Sequence, residues 1–412
     1  MTSTPGNPGS SGPAAGGAGF DGAATVVIAP DSFKGSLTSV QVARALADGW
    51  LRARPGDTVE LAPLADGGEG TLVAIEASGG WDRRTVTARG PLGRPVEASW
   101  LIAGDGHRAM VELASASGLS RLSPDQLDAL HASTYGTGEV IRAVLDAGVR
   151  HIVLGVGGSA TSDGAAGILL ALGARLLDAS GSELRGASGA PPGGADLAGV
   201  SSVDLSGLDP RLGEVELRIA CDVTNPLLGP RGAAATYGPQ KGASPEEVAT
   251  LDAALAHWAD VLELATGRRE RESSGAGAAG GTTFGLACLT DRLRSFETVP
   301  GVDLVIDETG LDARLAAADL VITGEGRIDA QTAFGKTALG VARRAASAGV
   351  PCIAVGGGVE PGGIEALAPL GVVAVPVAER PMSIAEAMAA GPEPLARCGE
   401  RIARLISLGS RA

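Results

Sequence analysis

The sequence predicts an α/β protein: a doubly wound, mostly parallel sheet with a second α/β domain, built on a mixed sheet, inserted within it. Three observations carry that reading. Apolar runs of strand length alternate with helical periodicities toward both ends of the chain, the pattern that builds a parallel sheet with crossover helices. Between them, residues 83–113 alternate polar and apolar around Gly90-Pro91-Leu92-Gly93 and Gly104-Asp105-Gly106, which marks antiparallel neighbours. Glycine-rich polar stretches fall where strands end, the places where open α/β sheets take ligands. The 412 residues exceed one ordinary core and are expected to divide into a disordered Gly/Pro/Ser-rich tail over 1–23, a Rossmann-like unit over 24–78 and 287–412, and the insertion over 79–286.

In chain order, Thr25 to Ala29 is a short buried strand closed by Pro30, and Asp31-Ser32-Phe33-Lys34-Gly35-Ser36 leads into a helix of about 15 residues capped by Ser36 or Thr38. Thr58 to Leu61 is a second strand, followed by Ala65-Asp66-Gly67-Gly68-Glu69-Gly70-Thr71 and a helix over 72–77. After the meander, Glu112, Ser115 and Ser117 lie at or past a strand end. Ser133 to Glu139 then opens a helix over 140–147. The central stretch is Gly155-Val156-Gly157-Gly158-Ser159-Ala160-Thr161-Ser162-Asp163-Gly164, between the apolar run 151–154 and a helical pattern over 165–173. Strand, glycine loop and helix aim backbone N–H groups at an anion. Two hydroxyl types and a carboxylate beside those amides suit phosphate and metal-ion chemistry. Further on, the strand 216–220 ends at Cys221-Asp222-Val223-Thr224-Asn225, Gly238-Pro239-Gln240-Lys241-Gly242 precedes the helix 245–265, and Gly275 to Gly281 reads as a hinge or a very close packing contact. The return leg is a run of βα units, in which Gly324-Glu325-Gly326-Arg327-Ile328-Asp329 follows a strand and Gly335-Lys336-Thr337 starts a helix.

Composition sets limits on function. A net charge of -14 argues against nucleic acid or an anionic membrane as partner, and no apolar run reaches bilayer length. The tail has neither a basic start nor an apolar h-region, so it is not read as a signal peptide. Four scattered cysteines form neither a disulfide framework nor a zinc spacing, so a reducing cytoplasm is expected. Of 33 cationic residues only three are lysines, Lys34, Lys241 and Lys336, and each touches a glycine. A lysine kept where arginine is the general choice is one needed as a compact point charge against phosphate or carboxylate.

Motif tests separate the ligands. Gly335-Lys336-Thr337 is not a Walker A loop, because Ala330 stands where its first glycine belongs. Gly155-x-Gly157-x-x-Ala160 with Asp178 satisfies a loose dinucleotide fingerprint, which keeps an NAD-dependent oxidoreductase open. A non-catalytic binder of a small hydroxy acid is the other rival. The four histidines, His107, His131, His151 and His257, avoid the glycine-rich loops, so acids, lysines and backbone amides must do the work, as in phosphoryl transfer with Mg²⁺.

Together, Ala29-Pro-Asp-Ser-Phe-Lys-Gly-Ser36, Ala65-Asp-Gly-Gly-Glu-Gly-Thr71, Gly157-Gly-Ser-Ala-Thr-Ser-Asp-Gly164, Gly238-Pro-Gln-Lys-Gly-Ala243 and Ile322-Thr-Gly-Glu-Gly-Arg327 through Lys336 resemble the type I glycerate kinase family, in motif order over about residues 25–408. Ser162 stands where Asn is expected. The resemblance implies two α/β domains with the site in the cleft between them. It also implies ATP- and Mg²⁺-dependent phosphorylation of D-glycerate at the 2-hydroxyl, with 3-phosphoglycerate as product, or a related hydroxy acid as substrate, as alternatives. On that reading Gly157, Gly158, Ser159, Thr161 and Lys336, with Glu325, hold the nucleotide, and Asp163 or Asp222 holds Mg²⁺. Lys34 or Lys241 meets the glycerate carboxylate or the γ-phosphate. Asp66 receives the hydroxyl proton, with Glu325 and Asp329 as second choices.

Overall fold

A computed structural model describes residues 22–186, 189–334 and 337–409. The chain opens with β1 (Thr25–Pro30), α1 (Ser39–Ala53), β2 (Thr58–Leu61) and α2 (Thr71–Ala77). Thr38, rather than Ser36, caps α1: its hydroxyl accepts the Gln41 amide, and the Gln41 side chain returns to the Thr38 backbone. The meander follows as β3 (Trp81–Arg89), β4 (Pro95–Ala103) and β5 (Arg108–Glu112), then α3 (Ala114–Ser117), α4 (Tyr135–Asp146), β6 (His151–Gly155) and α5 (Ala166–Ala171). Next come β7 (Arg175–Leu177), β8 (Ser202–Asp204), β9 (Glu216–Ala220), α6 (Ala233–Tyr237), α7 (Pro245–Thr266), α8 (Ala278–Ala287) and β10 (Ser295–Val299). The return leg is α9 (Gly301–Thr309), α10 (Leu311–Leu315), β11 (Leu320–Ile328), α11 (Thr337–Ala348), β12 (Cys352–Val359), α12 (Pro361–Leu367), β13 (Val373–Pro376), α13 (Ile384–Ala389) and α14 (Glu393–Gly409).

Two main sheets result. The first is wholly parallel, ordered β13-β12-β11-β1-β2. The second is mixed, ordered β10-β9-β6-β5-β4-β3, with β3, β4 and β5 antiparallel and β5, β6, β9 and β10 parallel. The expected α/β class, with one parallel and one mixed sheet, is what the chain adopts. The register carries the second sheet past residue 286 to Val299, because β10 pairs with β9. Its short sequence, with Ser295, Glu297 and Thr298 exposed and none of its residues buried, gives little hydrophobic signal of a strand.

The first sheet is packed on both faces. Val26, Ile28, Leu46 and Trp50 lie on the side of α1 and α14, and Val27, Val305, Val321 and Val341 on the side of α9 and α11. The second sheet has one large core, in which Trp100, Leu154, Ile219, Trp258 and Phe284 are buried. With few aromatic residues in the chain, aliphatic side chains fill most of these layers, each buried Val, Leu or Ile contributing about 1.5–3 kcal/mol by leaving water. Such packing holds the strand ends in place. Gly275 to Gly281 proves to be a close contact: Ala279, Gly280 and Gly281 are left-handed, and the Gly164 amide donates to the Gly280 carbonyl at 3.0 Å.

Candidate active site

The loops at the carboxyl ends of the two sheets touch: a Cβ on Gly67 would lie 2.5 Å from Ala220 Cβ, and one on Gly157 2.6 Å from Gly68 Cα. At the end of β1, the Asp31 amide donates to Gly324 O at 2.8 Å, continuing the β1–β11 pairing. Phe33 and Leu37 then exchange backbone bonds of 2.8 and 3.0 Å, closing a loop with Lys34 at its tip. Asp31 Oδ2 accepts the Thr337 hydroxyl at 2.6 Å, which ties this loop to the first residue of α11.

The segment after β2 crosses between the sheets. Ala62 and Leu64 still donate to Ile28 O and Pro30 O, each at 2.9 Å, before the chain turns over the ends of β6 and β9. There Lys34 Nζ donates to Asp66 Oδ2 at 2.8 Å, and the Gly68 amide donates to Asp66 Oδ1 at 3.2 Å. Only glycine fits where the two glycine loops touch, since a Cβ on Gly157 would come within 2.6 Å of Gly68 Cα. Asp222, just past β9, accepts the Gly301 amide on Oδ1 at 2.8 Å, so it sits at the start of α9. A Cβ on Gly301 would lie 2.1 Å from Asp66 O and 3.0 Å from Asp222 Oδ2, which shows how closely the three converge.

The electrostatics follow from this crowding. Burial alone would raise the Asp66 carboxyl, but the Lys34 ammonium and the Gly68 amide outweigh it and hold Asp66 below the usual aspartate range. Asp222 goes the other way: burial raises it, and the charges of Asp66 and Asp303 add to that against the Gly301 hydrogen bond. Asp31 is raised by burial, with the Thr337 hydroxyl opposing and the Asp66 charge reinforcing. Burial would lower Lys34, yet the charges of Asp66, Asp31 and Glu325 raise it. Lys34 is thus a permanent cation facing several carboxylates, with its side chain 77% exposed. Glu325, on β11, accepts the Thr332 hydroxyl at 2.7 Å. Asp329 takes the Gln331 amide at 2.8 Å and faces Arg327.

The structure thus brings Lys34, Asp66 and Asp222 together, with the Glu325 charge acting on Lys34. It does not bring Asp163 and Lys241 there. Asp163 is fully buried, and its Oδ2 accepts the Thr134 amide at 2.7 Å, the Thr134 hydroxyl at 2.8 Å and the Gly167 amide at 3.2 Å. It occupies the start of α5 itself, so the anion position expected from strand, loop and helix is filled by the protein's own carboxylate. The same occupancy removes the helix start that a dinucleotide would need. Lys241 is 1% exposed, donates to Thr161 O at 2.5 Å and is drawn down to about 7 by burial, against the pull of Asp163. Ser159 and Thr161 are buried as well, while Gly158 is exposed and Gly157 half-exposed beside Gly68. Lys336 lies outside the described residues. Asn225 serves its own loop, accepting from the Tyr237 hydroxyl at 2.9 Å and donating to Arg231 O at 2.8 Å. The Asp31–Thr337 link was not foreseen, because it joins positions 306 residues apart. Its one local signal is an acid placed directly after a strand-closing proline.

A sequence profile of the Glycerate kinase family matches residues 26–407. The chain is 44% identical over 380 residues to the glycerate kinase of Halalkalibacterium halodurans, covering 92% of this chain and 97% of that protein. It is 41% identical over 333 residues to the glycerate 2-kinase of Escherichia coli K12, covering 81% of this chain and 84% of that one. A crystal structure described as that of a glycerate kinase 2 from Salmonella typhimurium LT2 superposes with a TM-score of 0.79 at 39% identity, covering 95% of this chain and all of that one. Matches of this length and identity leave one conclusion: the chain belongs to the glycerate kinase family and is a kinase.

Proposed function

We propose that this kinase transfers the γ-phosphoryl group of ATP to the 2-hydroxyl of D-glycerate, giving 2-phosphoglycerate, in the crevice between the two sheets. The observation that carries the reading is the Lys34–Asp66 pair at 2.8 Å, set beside Asp222 where both parallel edges end. Phosphoryl transfer asks little covalent chemistry of a protein. It needs a positioned hydroxyl and charge placed against the moving group. Asp66, held ionised by Lys34, accepts the hydrogen bond of the attacking hydroxyl and takes its proton as the phosphoryl group arrives. Lys34 reaches the γ-phosphate from the same side. Gly157 and Gly158 line the adjoining wall, where no side chain keeps phosphate oxygens from the backbone.

The donor set fits Mg²⁺. Among the described residues no cluster of three or more metal-ligating side chains is present. Mg²⁺, however, is usually held by one or two carboxylates together with substrate phosphates and water. Asp222 would hold it, since its Oδ2 takes no hydrogen bond among the described residues. When bound, the ion would neutralise phosphate charge as it develops. Asp163, fully buried with its Oδ2 committed to Thr134 and Gly167, is not assigned that role.

Incubation with D-glycerate, ATP and Mg²⁺, followed by phosphorus NMR, tests the proposal. The expected product is 2-phosphoglycerate with stoichiometric ADP. A 3-phosphate product would overturn the assignment of the hydroxyl. No phosphorylated acid would overturn the substrate.

A further inference from the structure

Glu112 ends β5 in the second sheet, and its bonding partner lies in α2, the helix that follows β2 in the chain. Its Oε1 accepts the Leu72 amide at 2.7 Å, from a helix that packs on β3, β4 and β5. The recipient, α2, has no cap of its own: Gly70 stands at the cap with φ of 96° and offers no side-chain hydrogen bond. Helix starts leave orphan amides, and a carboxyl placed there satisfies them. From α2 the bonding runs on to the crevice. The Thr71 hydroxyl donates to Gly68 O at 2.7 Å, the Gly68 amide donates to Asp66 Oδ1 at 3.2 Å, and Asp66 Oδ2 holds Lys34.

We propose that Glu112 is a positioning residue for the reaction: capping α2 from the end of β5, it fixes the 66–71 loop and through it the Asp66–Lys34 pair. This rests on the crevice being the site of phosphoryl transfer. Glu112 is 9% exposed, and burial pushes its carboxyl up to about 7 against the Leu72 amide, with the Glu69 charge of the 66–70 loop adding and the Arg83 charge of β3 opposing. Near neutral pH it therefore changes between a neutral cap and a buried anion, and turnover should carry a step there that Asp66 does not produce.

The test compares wild type, Glu112→Gln and Glu112→Ala by kcat, KM, pH profile and hydrogen–deuterium exchange of the 66–72 amides. Glu112→Ala is expected to lower kcat roughly tenfold, the loss of one hydrogen bond to a well-placed acceptor, with KM for both substrates little changed and faster exchange over 66–72. Glu112→Gln keeps an acceptor for the Leu72 amide, so it should restore most of kcat while flattening the profile near pH 7. Unchanged kcat and exchange in Glu112→Ala would overturn the proposal. So would a wild-type pH profile in Glu112→Gln, which decides the matter if the alanine variant does not fold. The exchange readout needs no substrate, so wild type lacking glycerate kinase activity would sink the assigned function while faster exchange in Glu112→Ala still reported the capping link.

Discussion

Asp66 can be changed with little alteration of shape and Lys34 with none of charge, which makes the residue scale the sharpest. Asp66→Asn keeps the volume and one acceptor oxygen but cannot take a proton. A drop in kcat of about 100-fold or more is expected for loss of a positioned base, measured by coupled ADP release. Lys34→Arg keeps the positive charge but replaces a compact ammonium with a planar fork, and should cost roughly tenfold in kcat. Wild-type turnover in either variant would remove that residue from the reaction. In the sequence Lys34 stands out as one of three lysines, each beside a glycine, and Asp66 as one of two carboxylates three residues apart on a glycine loop past a strand. Their mutual contact was not legible there, since 32 residues and a helix separate them.

At the scale of elements, the loop between β6 and α5 shows where local reading ends. Glycines, hydroxyls and an acid before a helix look alike whether they bind a phosphate or cap the helix themselves. The choice was made just before α4, where Thr134 supplies two donors to Asp163 from 29 residues away. Asp163→Ala would leave these donors and the Gly167 amide without an acceptor in a dry interior. A loss of about 3 kcal/mol or more in unfolding free energy, read by denaturant titration, is expected. Lys241 follows the same logic: a lysine beside a glycine marked an unusual position, but its amine turned inward to Thr161 O. The parallel alternation, the antiparallel meander and the Thr38 cap region were all readable from periodicity and turn residues. The β10 strand was not, because its pairing with β9 rather than its own pattern makes it a strand.

For the whole molecule, the junction between the sheets ties stability to pH as well as placing the site. Arg108 of β5 donates to Glu308 of α9 at 2.8 Å, and Arg218 of β9 reaches Asp307 at 3.3 Å, so α9 is bound to the second sheet at one end while its start meets Asp222. Glu112 adds a titratable link. Its folded value of about 7 exceeds the usual 4.5, so the folded state holds more protons than the unfolded chain between those pH values. Stability from this group is present below 4.5 and is lost as pH rises toward 7, by at most about 3 kcal/mol. Glu112→Gln should flatten that limb of a stability-against-pH curve. The account as a whole requires that residues far apart in sequence act in one crevice. The double-mutant cycle of Lys34→Met and Asp222→Asn in kcat/KM tests this most directly. Strong non-additivity, with the double variant little worse than the poorer single one, is the predicted result. Losses that simply multiply would mean that the two residues do not share a site, and would contradict the account.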